Sequence, residues 1–250
     1  MTERFHRTEI LLGPENLERL RNARAVVAGL GAVGSYAAEA LARSGIGHFT
    51  LVDFDTVSIS NINRQLYALE STIGMAKTEV ALARIQDINP ACQVETRELF
   101  IDKDSIPAIL EPKPDILLDA IDSLTPKIEL LHQATVAGIP VVSSMGAATR
   151  TDPNKVRVDK LNKSHNCPLA KLIRKHLRRR CNIDEIICVY SSERKNANAK
   201  SEMESFDRGR PRAILGSTAY IPGMFGLAAA GECIRLIIEN QTERFLSFSF

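Results

Sequence analysis

The sequence has no tryptophan, and only 5% of its residues are aromatic. Its five cysteines, Cys92, Cys167, Cys181, Cys188 and Cys233, are an odd number, and none forms a C-x-x-C pair. That argues against a disulfide framework and a four-cysteine zinc site, and it fits a reducing, cytoplasmic compartment. The opening MTERFHRTEI has no apolar core of the kind a secretory signal carries. Excess charge of one sign is lacking too: the formal total is +2 over 250 residues, so the molecule as a whole is not a polycation. Long apolar runs are scarce. The one conspicuous case, AYIPGMFGLAAAGECIRLII (219–238), is interrupted by Glu232 and Arg235 in its second half and by Pro222 and Gly223 at its start. It reads as a buried helix from about Met224 to Glu239, and no membrane span is expected.

What is present is enough apolar material, 44% of the chain, for a substantial core. Residues 9–22 read as a polar, leucine-punctuated helix, followed by a strand at 24–28, a glycine turn and a helix through Arg43. HFTLVDFD (48–55) is a second strand. GMAKTEVALARIQDIN (74–89) is helical and is stopped by Asn89-Pro90. QVETREL is a short strand, and the continuous apolar run of DILLDAID (115–122) suits a strand buried on both faces. A helix at 126–137 and the strand IPVVSSMG (139–146) complete the series. This alternation predicts a Rossmann-like, open, mostly parallel sheet with helices on both faces. Beyond residue 150, KVRVDKL and EIICVYSSE read as strands flanking a basic helix at 168–180, a smaller mixed extension. The polar stretch ERKNANAKSEMESFDRGRPR (193–212) reads as a mobile loop. One domain over 1–250 is expected, with its nucleotide-binding part in 1–150 and its partner-facing and dimerisation part in 151–250.

Gly29-x-Gly31-x-x-Gly34 follows a strand and opens a helix, the context in which glycines let a backbone approach phosphate and a helix N-terminus attracts anionic oxygen. Asp53 ends the second strand 19 residues beyond Gly34, placed to accept a ribose hydroxyl. These features alone suit an NAD-dependent oxidoreductase. The continuation DFDTVSISNINRQ changes the balance, because Asn61, Arg64 and Gln65 follow and Lys77 lies 13 residues after Arg64. Hydride transfer has no evident use for two fixed cations near the adenosine end. Adenylyl transfer does, since a carboxylate attacking the α-phosphate builds charge there and on the departing pyrophosphate. Asp122, at the carboxyl end of a central strand, is where an acid holding Mg2+ belongs. Singly, each of these residues reads as readily as a surface ion pair; their joint order argues for a site.

GLGAVGS, LVDFDTVSISNINRQ, GMAKTEVA and DAID resemble the ubiquitin-activating-enzyme-like superfamily, which adenylates carboxylates with ATP, over roughly residues 4–150. The resemblance implies that Asp53 binds the ribose and that Asn61, Arg64 and Lys77 contact the phosphates. It implies that Asp122 binds Mg2+ and the triphosphate, with Asp55 and Ser123 as neighbours in the ATP-binding set. Arg64, Lys77 and Asp122 are then the catalytic candidates. RFHR resembles the superfamily's N-terminal arm, which implies that Arg7 reaches the ATP of a partner subunit in a homodimer. Members that activate ubiquitin-like sulfur carriers usually hold zinc through two C-x-x-C pairs, which this chain lacks. Cys167 is the one candidate for thiol chemistry and Cys188 a strand-core residue; a buried free thiol is the simpler account of both.

GAATRTDPNKVRVDKLNKSHNCPLAKLIRKHLRRR and LGSTAYIPGMFGLAAAGECIRLI closely resemble the tRNA threonylcarbamoyladenosine dehydratase branch of that superfamily. The implied activity is ATP-dependent cyclisation of N6-threonylcarbamoyladenosine in the tRNA anticodon loop through a carboxyl-adenylate, with a sulfur-relay protein as a further conceivable partner. An adenylyltransferase acting on the Gly-Gly end of a sulfur-carrier protein is the main alternative. Charge supports a nucleic-acid substrate independently. From Lys155 to Cys181 ten Lys and Arg face one acid, Asp159, so this window carries +9 and the rest of the chain −7. Lys171, Arg174, Lys175 and Arg178 follow helical spacing on one face, extended by Arg179, while Leu169, Leu172, Ile173, His176 and Leu177 form the other. Such a stripe is an electrostatic footprint for a polyanion.

Overall fold

The computed structural model describes residues 3–194, 201–204 and 212–246. Apolar runs become the inner strands of a seven-stranded sheet. In chain order its strands are β1 (Arg24–Ala28), β2 (His48–Val52), β3 (Gln93–Arg97), β4 (Ile116–Asp119), β5 (Val141–Ser144), β6 (Val156–Lys160) and β7 (Ile186–Ser191). They lie in the order β3-β2-β1-β4-β5-β7-β6, all parallel except β6, which runs antiparallel to β7. Every residue of β4 and β5 is buried, as expected of parallel strands covered on both faces. The edge strands β3 and β6 bury little. Strands come from both sides of residue 150, so the sheet joins the two parts of the chain.

Alternate strand residues feed two cores. Ala25, Val27, Ile116 and Leu118 face one cluster, and Val26, Ala28 and Leu117 the other. The first is covered by α3 (Gly34–Arg43), α4 (Lys77–Ile88) and α8 (Tyr220–Leu246). The second is covered by α5 (Ile106–Ile109), α6 (Leu124–Val136) and α7 (Pro168–Leu177). Helix α8 is long and apolar enough to cross a membrane by composition, but its Ile221, Phe225, Ala229 and Cys233 are buried in the first core. It packs so closely on α3 that a Cβ at Gly226 would lie 2.4 Å from the Val33 carbonyl oxygen. This is the expected buried helix, longer at both ends.

Three segments differ from expectation. The leading helix is two, α1 (His6–Leu12) and α2 (Pro14–Asn22), because Gly13 at φ 85° turns the chain and Pro14 starts a new helix. The basic helix ends at Leu177, leaving Arg178–Arg180 in a turn. Of the stretch expected to be a mobile loop, 193–212, residues 201–204 form β8 (Ser201–Glu204), which pairs antiparallel with β9 (Arg212–Leu215) at its end. A hairpin ladder is made by backbone groups, so polar composition did not exclude it. Residues 195–200 and 205–211 of that stretch lie outside the described residues.

Candidate active site

The strand order reverses between β1 and β4, and the loops at their carboxyl ends meet there. Gly29 leaves β1 at φ 90°, and its position for a Cβ is only 3.0 Å from the Ala120 carbonyl oxygen. A Cβ at Gly34 would lie 1.8 Å from the Gly29 carbonyl oxygen, so α3 can start against the turn only with glycine there. Gly31 is different. The nearest atom to its Cβ position is Gln65 Nε2 at 3.8 Å, which leaves that side of the turn open at the start of α3. An open backbone next to a ten-residue helix N-terminus fits a phosphate group. Ser35 fastens this turn to the next loop: its hydroxyl donates to Gly31 O at 2.7 Å and accepts from Leu66 N at 3.2 Å.

Asp53 stands just past β2, and its carboxylate is held from two sides. Oδ2 accepts from Leu30 N at 2.6 Å, and Oδ1 accepts from Asp55 N at 2.9 Å. Burial pushes its carboxyl above the ordinary value, opposed by Lys77 and by the two N–H groups. The first residue of α4 is Lys77, delivered by its backbone N–H bond to Asp55 O at 3.1 Å. The buried Nζ lies 2.7 Å from Asp55 Oδ2 and 4.0 Å from Asp53 Oδ1. Asn61 is buried and accepts from Ser58 N at 3.2 Å, closing its own short turn. Arg64, three residues on, donates to Ser60 O at 2.7 Å and to Asn63 Oδ1 at 2.8 Å. Asp122 is exposed beyond β4, and its Oδ1 accepts from Ser123 Oγ at 3.3 Å. The strand end carrying it abuts the glycine turn, since Ala120 N donates to Ala28 O at 2.8 Å. Arg7 is exposed on α1, with exposed Ile10 and Leu11 one turn further on.

Among the described residues, no three or more His, Cys, Asp and Glu gather as a metal cage. An exposed carboxylate such as Asp122 suits Mg2+ all the same, because that ion is commonly held by one or two carboxylates plus phosphate oxygens. Three residues not evident in the sequence lie directly beneath the site: Asp119, Lys127 and Ser143, all fully buried. The one signal for Asp119 was an aspartate ending the apolar run ILL; Lys127, in a helix with other polar residues, gave none.

On α7 the buried stripe is Ala170, Ile173 and Leu177. That register exposes Lys171, Lys175, Arg178 and Arg179, together with Leu172 and His176, which were expected on the apolar side. Arg174 falls on the border. It is half-buried and donates to Ser164 Oγ and to Leu161 O, so it braces the preceding turn instead of joining the exposed cations. Neighbouring Arg180 is paired with Glu129 at 2.7 Å. Cys167 and Cys188 are both buried, and burial pushes the Cys188 thiol up to about 12.

A glycine turn, a buried carboxylate and a buried lysine at a strand-order switch define an α/β protein of the nucleotide-binding class. The chain belongs to the ThiF family, whose model matches residues 5–250. It is 36% identical over 245 residues to the tRNA threonylcarbamoyladenosine dehydratase of Bacillus subtilis (strain 168), covering 96% of both chains. The crystal structure of the Escherichia coli tRNA N6-threonylcarbamoyladenosine dehydratase in complex with ATP is similar at a TM-score of 0.86 and 32% identity, covering 96% of each chain. A molybdopterin-synthase adenylyltransferase of Haemophilus influenzae is 36% identical over only 135 residues, 54% of each chain.

Proposed function

We propose that this chain is an ATP-dependent tRNA threonylcarbamoyladenosine dehydratase. The observation that carries this is similarity over 245 residues, 96% of the chain, where the adenylyltransferase match extends over 135. In the first step, the carboxylate of N6-threonylcarbamoyladenosine attacks the α-phosphorus of ATP and pyrophosphate leaves. In the second, the carbamoyl oxygen of the same side chain attacks the acyl carbon, AMP leaves and the carbamoyl nitrogen loses a proton. The substrate has then lost one water and gained an oxazolone-type ring. Closure is intramolecular, so no protein nucleophile is needed.

The open side of Gly31 and the start of α3 receive phosphate oxygens, and Asp53 receives the ribose. Asn61, Arg64 and Lys77 are assigned to the phosphates, Lys77 exchanging the Asp55 carboxylate for the nucleotide. Asp122 is the residue that would hold Mg2+, which offsets charge on the departing pyrophosphate. Lys171, Lys175, Arg178 and Arg179 form the surface for tRNA phosphates. A homodimer with Arg7 serving the partner's nucleotide is supported by the exposed Ile10 and Leu11 beside it. Five free cysteines and a tRNA substrate suit the cytoplasm.

The test is pyrophosphate exchange with two acceptors. Exchange stimulated by tRNA bearing N6-threonylcarbamoyladenosine, with loss of one water from that nucleoside, is the expected result. Exchange stimulated only by a carrier protein ending in Gly-Gly would overturn the proposal.

A further inference from the structure

We infer that Lys127 is a positioning residue of the nucleotide site, fixing through Asp119 and the Ile121 backbone the turn that presents Asp122. The inference rests on the assignment of Asp122 to that site. Lys127 lies in the first turns of α6 with its side chain fully buried, as is that of Asp119 at the end of β4. Its Nζ is 2.7 Å from Asp119 Oδ2 and donates to Ile121 O at 2.9 Å. Asp119 Oδ2 also accepts from Ser143 Oγ on β5 at 2.6 Å, and its Oδ1 accepts from Ile121 N at 3.1 Å. Both backbone polar groups of Ile121 are therefore held by one buried ion pair, one residue before Asp122.

The ladder of β4 ends at Asp119, so strand pairing does not extend to Ile121 or Asp122. Something else must set the direction in which the chain leaves the sheet. Well-packed apolar side chains at 119 and 127 would avoid the desolvation of two charges and are often as stable or more so. A buried pair that clamps a turn is thus better explained by the geometry it imposes than by stability. The clamp spans β4, β5 and α6, and α6 closes it again where Lys127 N donates to Ser123 O at 3.2 Å. Its output is the position of a single carboxylate beside the glycine turn.

The experiment is calorimetric titration of ATP with Mg2+ into four purified variants, with thermal melting as the control for folding. These are Lys127→Met, Ser143→Ala, Asp122→Asn and the Lys127→Met/Asp122→Asn double variant. Removing an outer support of this kind is expected to weaken nucleotide binding roughly 10–100-fold for Lys127→Met. Ser143→Ala, which deletes one hydroxyl, is expected to weaken it less. If Lys127 acts through Asp122, the double variant binds no more weakly than the weaker single variant. Asp122→Asn binding as wild type would refute the site assignment itself. Asp122→Asn weakened while Lys127→Met melts lower but binds normally would refute the positioning role alone, as would additive losses in the double variant. If Lys127→Met does not fold, Ser143→Ala decides: unchanged affinity there overturns the inference.

Discussion

Replacing Lys77 by alanine separates its pairing with Asp53 and Asp55 from its proposed role at the phosphates. In the structure its Nζ sits 2.7 Å from Asp55 and 4.0 Å from Asp53, with 6% of the side chain exposed. Removing it leaves two carboxylates facing each other, one of them buried. The stability loss is limited, because Asp53 keeps its bonds from Leu30 N and Asp55 N and because Asp55 is half exposed. About 1–3 kcal/mol at neutral pH is expected. Since the folded-state value of Asp53 is already raised, the folded protein binds its proton more tightly than the unfolded chain does. Stability contributed by this group is present below the ordinary carboxylate range and is lost as pH rises through the raised value. Without Lys77 that value rises further, so the variant falls behind wild type as pH increases from acid toward neutral. The catalytic loss is separate: one charge-assisted contact to developing phosphate charge is worth roughly 2.7–4 kcal/mol, on the order of 10²–10³ in rate. Single-turnover adenylation at saturating ATP, beside melting curves at several pH values, measures both. A folded Lys77→Ala protein with near wild-type turnover would refute the catalytic assignment, and a melting difference independent of pH would refute the electrostatic account of Asp53.

Arg64→Ala is expected to slow adenylation by a similar factor while shifting the melting temperature little, because among the described residues Arg64 bonds within its own loop; unchanged turnover at saturating ATP would remove it from the site. Lys171→Glu with Lys175→Glu is expected to weaken tRNA binding severalfold or more and to flatten the log-log salt dependence by roughly 0.7–0.9 per lost phosphate contact, leaving ATP affinity alone. Filter binding across a salt series checks this, and an unchanged slope in the folded variant would remove the basic flank from the tRNA surface. Cys167→Ser and Cys188→Ser proteins that fold are expected to keep dehydration activity, measured as water loss from the nucleoside, and complete loss in folded Cys167→Ser would indicate a covalent sulfur step.

The inner strands β1 and β4 were legible because AVVA and ILL are continuous apolar runs, and a run buried on both faces has few other places to go. The glycine turn was legible for a similar reason: Gly29 and Gly34 meet constraints that only glycine satisfies. The α7 face was only partly legible. Lys171, Arg174 and Lys175 share helical spacing, but the spacing does not say which border residue turns inward, and the neighbour that takes Arg174 is the 161–164 turn. A long arginine stem can lie along either side of such a border. Lys127 was not legible, because burying a lysine needs partners, and these are Asp119 at the end of β4 and the Ile121 carbonyl just beyond it, with Asp119 held in turn by Ser143 on a second strand. Pairings of that kind exist only once the sheet has formed.

The buried cysteines and the basic flank bear on the same chemical question, namely what intercepts the activated carboxyl. Free thiols have ordinary values near 8.5. Burial pushes the Cys188 thiol up to about 12, which disfavours the thiolate, the reactive form. Cys167 is shut away as well, with 4% of its surface exposed. A protein nucleophile on either would have to be uncovered before it could react. An oxygen already tethered within the substrate needs no such opening, and well-oriented intramolecular attack can replace roughly 7–11 kcal/mol of barrier through proximity alone. For that trap the protein's task is to hold a large polyanion so that one side chain enters the cleft. Exposed Lys171, Lys175, Arg178 and Arg179 suit that task, and a buried thiol does not. The proposed division of labour follows from this: the glycine turn with Arg64 and Lys77 is assigned to activating the carboxyl, the flank to holding the acceptor, and ring closure to the substrate itself.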